Sequence, residues 1–90
     1  MTNMWIVELT PAARRQLEKL DAETNRKIAA YLDERVAGPG SPTRFGKALT
    51  GPLKGFWRYR VGDYRVVASI ENRRLVVYVV DIDHRSTVYR

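Results

Sequence analysis

Phe56 to Ile70 reads FWRYRVGDYRVVASI. Two runs rich in aromatic and β-branched residues, Phe56–Val61 and Tyr64–Ile70, are parted by Gly62-Asp63. This is the pattern of a β-hairpin whose two-residue turn has glycine in the first central position, where φ is positive. So short a turn fixes the register: Val61 faces Tyr64, Arg60 faces Arg65, Tyr59 faces Val66 and Arg58 faces Val67. Side chains alternate along a strand, so Arg58, Arg60 and Arg65 share one face while Tyr59, Val61, Tyr64 and Val66 share the other. Like charges set directly opposite cost about 0.2 kcal/mol or more. A sheet that keeps Arg60 opposite Arg65 either tolerates that cost or holds an anion between them.

Beyond the hairpin, Leu75–Ile82 is a third strand candidate, and its run Leu75–Val80 (LVVYVV) is apolar on both faces and suits a central strand. The turn before it, Glu71 to Arg74, has no glycine, which leaves the register of this second hairpin open. Strand alternation places Asp81 and Asp83 on a common face, as oxygen ligands for Mg²⁺ require. Two acids at a strand end are common, however, and the nearby arginines neutralise them, so no metal site is assigned.

Upstream, Met4–Glu8 predicts a first strand. Thr10-Pro11 starts a helix, threonine as N-cap and proline in the first turn, and Ala13, Leu17 and Leu20 mark its apolar face. Asp21 caps a second helix over about residues 22–36, which buries Ile28, Tyr31, Leu32 and Val36 and turns Arg26, Lys27, Asp33 and Glu34 elsewhere. Gly38-Pro39-Gly40-Ser41-Pro42 ends it. Arg44 to Lys54 lacks periodicity and reads as a loop with one short turn crossing the sheet edge. The expectation is one α+β domain over residues 1–90, a small antiparallel sheet packed against two N-terminal helices.

With 90 residues there is room for one small core. The charge is +6, from 16 Lys+Arg against 10 Asp+Glu, and more of the excess falls in the strand-rich half. Such a balance attracts polyanions of any kind. No run approaches the ~18 apolar residues of a spanning helix, and the N-terminus lacks a signal pattern. Without cysteine there is no disulfide or thiolate metal site. These features predict a soluble, cytoplasmic protein with no membrane role.

Three arginines on alternate positions also suit an ordinary solvated sheet face. Two details favour phosphate instead: these positions are all arginine, whose planar fork matches phosphate oxygens, and Arg85 and Tyr89 follow just beyond the last strand. Lys47 and Lys54 extend the basic surface as RNA-contacting candidates beside Arg58 and Arg60. His84 is the only histidine, so a two-histidine acid–base scheme within one chain is excluded, though one imidazole can still act near pH 7. Most of the aromatics interleaved here, Trp57, Tyr59, Tyr64 and Tyr78, fit a core; Tyr89 has no strand periodicity to explain it.

The run GKALTGPLKGFWRYRVGDYRVV (residues 46–67), then an apolar strand and HRSTVY (residues 84–89), resembles the RelE/ParE superfamily of type II toxins. The order strand, helix, helix before it fits as well. The RelE-like branch implies an antiparallel sheet backed by two helices, and cleavage of mRNA in the ribosomal A site without metal or cofactor. There the ribose 2′-hydroxyl attacks the adjacent phosphate. The resemblance implies that Arg65 and Arg85 hold the scissile phosphate, that Arg58 and Arg60 match a basic pair on the preceding strand, and that Tyr89 stacks on a base or moves a proton. It also implies a cognate antitoxin, with operator DNA reached only through the toxin–antitoxin complex. The RelE prototype has lysines at the positions of Arg58 and Arg60. Arginine is a poor general base, which leaves that role open between Tyr89 and His84. The chain ends at Arg90, without the C-terminal helix that some members add. ParE-like relatives share the fold but inhibit DNA gyrase without cutting RNA, which is the alternative reading.

Overall fold

The computed structural model describes residues 4–84. The chain runs β1 (Ile6–Leu9), α1 (Pro11–Glu18), α2 (Ala22–Tyr31), β2 (Lys47–Ala48), β3 (Phe56–Val61), β4 (Tyr64–Glu71) and β5 (Val76–His84). The five strands form one sheet in the order β1-β5-β4-β3-β2. The fold is α+β with two helices, as expected. The sheet is antiparallel from β2 to β5, and β1 joins β5 in parallel, which makes it mixed. A strand followed by two helices re-enters the sheet only after a crossover, and that connection permits the parallel pairing.

Both helices begin where the sequence says. The Thr10 hydroxyl accepts from the Ala13 N–H, with Pro11 in the first turn, and the Asp21 carboxylate accepts from the Thr24 N–H at 3.2 Å. That contact holds the Asp21 carboxyl below its usual pKa. After Tyr31 the second helix widens into a π-type turn, Leu32–Val36, and ends at Ala37. Ile28, Leu32 and Val36 are buried and Tyr31 is half-buried. Among the described residues no helix is long and apolar enough to cross a membrane.

The core lies between the helices and one sheet face. Ala13, Ile28, Leu32 and Val36 meet Tyr59, Val66, Ala68, Val77, Val79 and Ile82. Tyr59 anchors it: its ring meets Tyr31 edge-on, and its hydroxyl donates to the Pro42 carbonyl at 2.6 Å. Burial pushes that phenol up to about 12. The Pro42 loop can close over the ring because residue 46 is glycine; a Cβ there would come within 2.9 Å of Tyr59 Cε1.

Two details of the loops depart from expectation. The segment read as a plain loop contains the two-residue β2, which pairs Lys47 with Arg58 and Ala48 with Trp57. A strand of two residues has no period to detect. The turn after β4 is closed by Leu75, the one non-glycine residue with positive φ (+55°) among those described. A left-handed leucine is disfavoured by ~1–2 kcal/mol, which is why no turn signal marked the spot.

Candidate functional site

The first hairpin has the expected register. Arg60 pairs with Arg65, Val61 with Tyr64, Tyr59 with Val66 and Arg58 with Val67. Gly62 takes φ +59° in the turn, as its position demands. Arg58, Arg60 and Arg65 therefore share the face turned away from the helices, and Lys47 joins them from β2 opposite Arg58. Lys54 is exposed in the connection just before β3.

The second hairpin decides what else this face carries. Along β4 and β5, Ala68 pairs with Val79 but Val67 pairs with Asp81, so Val80 has no partner and forms a β-bulge. Val77 and Val79 point to the helices. Uninterrupted alternation would send Asp81 and Asp83 the same way. The extra residue reverses the phase: Ile82 turns into the core, 4% exposed, and Asp81 and Asp83 turn to the arginine face.

Two rows now cross the outer face, with adjacent strands ~4.8 Å apart. One is Arg60, Arg65, Asp83; the other is Lys47, Arg58, Val67, Asp81. Val67 is only 3% exposed between two charged neighbours, so the long side chains of this face close over it. The Nε atoms of Arg58 and Arg65 are buried with no hydrogen-bond partner among the described residues. An unpaired buried donor costs ~1–3 kcal/mol, a cost that an anion laid across the face would remove.

The acids do not relieve Arg65. No ion pair joins it to Asp81 or Asp83 among the described residues. Asp83 instead shares a hydrogen bond with Asp81, and this contact, with burial and the charge of Asp81, raises the Asp83 carboxyl to about 6 against a smaller opposing pull from Arg65. Asp81 is fixed from α1. Gln16 Nε2 donates to Asp81 Oδ1 at 2.8 Å, and Gln16 Oε1 accepts the Ile82 N–H at 2.8 Å. β1 covers β5 only from Val76 to Val79, so this glutamine takes over the open strand edge beyond it.

His84 is not brought to the arginines. It pairs with Tyr64 on the helix-facing side, rings edge-on with centroids 5.1 Å apart. It borders a small cleft with Thr24, Lys27 and Asp63. Arg85 and Tyr89 lie outside the described residues. Sequence reasoning put Asp81 and Asp83 on one face but did not fix which, expected the arginines to neutralise them, which no ion pair among the described residues does, and missed Gln16. The Asp-Ile-Asp spacing was visible, but the bulge that chooses its face hides in an apolar run with no alternation. No cluster of three or more His, Cys, Asp or Glu side chains suited to a metal ion occurs among the described residues.

Comparison with known proteins gives consistent matches. The family described as "ParE toxin of type II toxin-antitoxin system, parDE" matches residues 7–89. Toxin RelE of Mycobacterium tuberculosis is 41% identical over 86 residues, covering 93% of this chain and 84% of that protein. Toxin RelG of the same organism is 35% identical over 88 residues, covering 96% and 97%. Among solved structures, the fold is similar to a chain of the M. tuberculosis RelBE2 toxin–antitoxin complex, with a TM-score of 0.83 and 29% identity, covering 92% of this chain and all of that one.

Proposed function

The chain belongs to the RelE/ParE superfamily of type II toxin–antitoxin toxins, and from that membership we propose that it is an mRNA endoribonuclease that acts on the ribosome without a metal. One observation carries the reading: Arg58 and Arg65 present buried, unpartnered guanidinium nitrogens on a face where Arg60 stands directly opposite Arg65. Such a face is preorganised for an anion whose charge grows during reaction, which is what electrostatic catalysis of phosphoryl transfer needs. Arg65, with Arg85 from the following segment, holds the scissile phosphate; Arg58, Arg60, Lys47 and Lys54 track the RNA backbone. Tyr89 stacks on a base. The partner is a cognate antitoxin, as in the RelBE2 complex, and operator DNA is met only through that complex.

Replacing one transition-state donor of this kind costs ~10²–10³-fold in rate. Arg65→Ala is therefore expected to abolish growth arrest on expression and the mRNA ends mapped by primer extension, while the variant still folds and binds antitoxin. The match to a family named for ParE favours a second reading, inhibition of DNA gyrase. Induction of the DNA-damage response with intact mRNA would establish that reading in place of the first.

A further inference from the structure

We propose that Asp83 is the general base of the cleavage, taking the proton of the attacking ribose 2′-hydroxyl from its position beside Arg65, with Asp81 and Gln16 as positioning residues. The assignment rests on the ribonuclease reading. It fills the place that the arginines cannot, because a guanidinium does not give up its proton near neutral pH. Of the other described candidates, Tyr59 is sealed in the core, Tyr64 and His84 meet on the helix side of the sheet, and Asp81, on the same face, is one row further from Arg65 and is tied to Gln16.

Asp83 is placed for the task by three independent features. The Val80 bulge turns it to the outer face, and the register sets it directly across from Arg65. Arg65 keeps a buried Nε without a partner among the described residues, so the cation next to the carboxylate has a donor left for a phosphate to satisfy. A phosphate held there lies about one strand spacing, ~5 Å, from the carboxylate, and the 2′-oxygen that must lose its proton is the neighbour of that phosphate. Finally, Gln16 holds the strand on which the acid stands, through Asp81 Oδ1 and the Ile82 N–H next to it.

The charged groups that reach Asp83 among the described residues are Asp81 on its own strand and Arg65 on β4; α1 touches the pair only through the neutral Gln16. Asp81 outweighs Arg65 and holds the Asp83 carboxyl at about 6, close to the pH at which a base is both ionised and strong. In the reaction the 2′-oxygen forms a bond to phosphorus as its proton passes to Asp83. The bond from phosphorus to the 5′-oxygen breaks, leaving a 2′,3′-cyclic phosphate. The departing 5′-oxygen takes a proton from water, and Asp83 returns its own proton to the hydroxide left behind.

The test is single-turnover cleavage of ribosome-bound mRNA by the purified protein between pH 5 and 8. The wild-type rate is expected to rise through pH ~6 and level off, as a base of that strength requires. Asp83→Asn should lower the plateau ~100-fold or more and erase the rise. Asp81→Asn should lower the plateau less and move the rise down by more than about one pH unit. Carboxyl NMR titration of Asp83 in the wild type and in Asp81→Asn reads the same shift without catalysis, and serves if Asp83→Asn does not fold. Cleavage by a folded Asp83→Asn within about threefold of wild type, with the same pH profile, overturns the assignment but spares the nuclease reading if Arg65→Ala is inactive. An Asp83 carboxyl that titrates in the ordinary range likewise overturns it. Absence of cleavage by the wild type overturns both.

Discussion

The two faces of the sheet are made from the same strands and solve opposite problems. Toward the helices, Tyr59, Val66, Ala68, Val79 and Ile82 close a neutral core, and its one deeply placed hydroxyl is matched to the Pro42 carbonyl. Away from them, Arg58, Arg60, Arg65, Asp81 and Asp83 crowd charge onto a surface where two donor nitrogens are buried and unmatched. A satisfied face backing an unsatisfied one is how a small domain holds charges in fixed positions: the core supplies the rigidity, and alternation projects the charges the other way. Among the described strand pairs, the one break in that alternation between the faces is Val80.

Placing a charge at Ile82 should therefore have the largest effect. The bulge turns this position into the core, so Ile82→Asp buries a carboxylate without a partner and loses a core side chain, together exceeding ~4 kcal/mol, enough to remove the cooperative unfolding transition of a small domain. An Ile82→Asp variant that unfolds in urea at the wild-type midpoint would show that the bulge does not sort the two faces.

Next in size is Tyr59→Phe, which keeps the ring and strips the hydroxyl. The buried Pro42 carbonyl loses its donor at a cost of ~1–3 kcal/mol, read as a lower urea midpoint with an unchanged slope. Its counterpart on the outer face, Arg58→Ala, should leave stability within ~0.5 kcal/mol, because it removes a like charge and a buried orphan donor while exposing part of Val67. On the proposed RNA-cleaving role, its effect should fall on RNA affinity, where the slope of log Kd against log salt should shrink by about 1. Equal losses of stability in both variants would erase the contrast between the faces.

How much of this could be read from the chain differs between the two hairpins. Gly62-Asp63 is a turn with its own chemistry, so the positions of Arg58, Arg60, Arg65 and Tyr59 followed from it without further information. The β4–β5 turn closes on a left-handed leucine that no sequence rule favours, and the bulge falls in the run Val76 to Val80, where every residue is apolar. The fate of the acids was therefore illegible, and with it the separation of His84 from the arginines. Gln16 was hidden for another reason. Its role depends on where β1 stops covering β5, a tertiary fact with no local signature. The helices were legible because Thr10, Pro11 and Asp21 act within one turn of themselves.

The smallest predicted effect is the pH dependence that Asp83 gives to stability, and its sign separates two pictures of the acidic end of the outer face. With the folded carboxyl raised from 3.8 to about 6, the native state keeps a proton that the unfolded chain has already released. Stability from this group is thus full below pH ~4, declines as pH rises through the window up to about 6, and stays lower above it. The difference in urea midpoint between wild type and Asp83→Asn should fall across that window. The change is small because the side chain is partly exposed and solvent screens its partners. An ordinary Asp–Arg pair would do the reverse, since a carboxyl lowered by Arg65 gains stability as it ionises. A midpoint difference that grows with pH would therefore mean that Arg65 already holds Asp83 in the free protein, leaving neither a free cation for phosphate nor a carboxylate of raised pKa beside it.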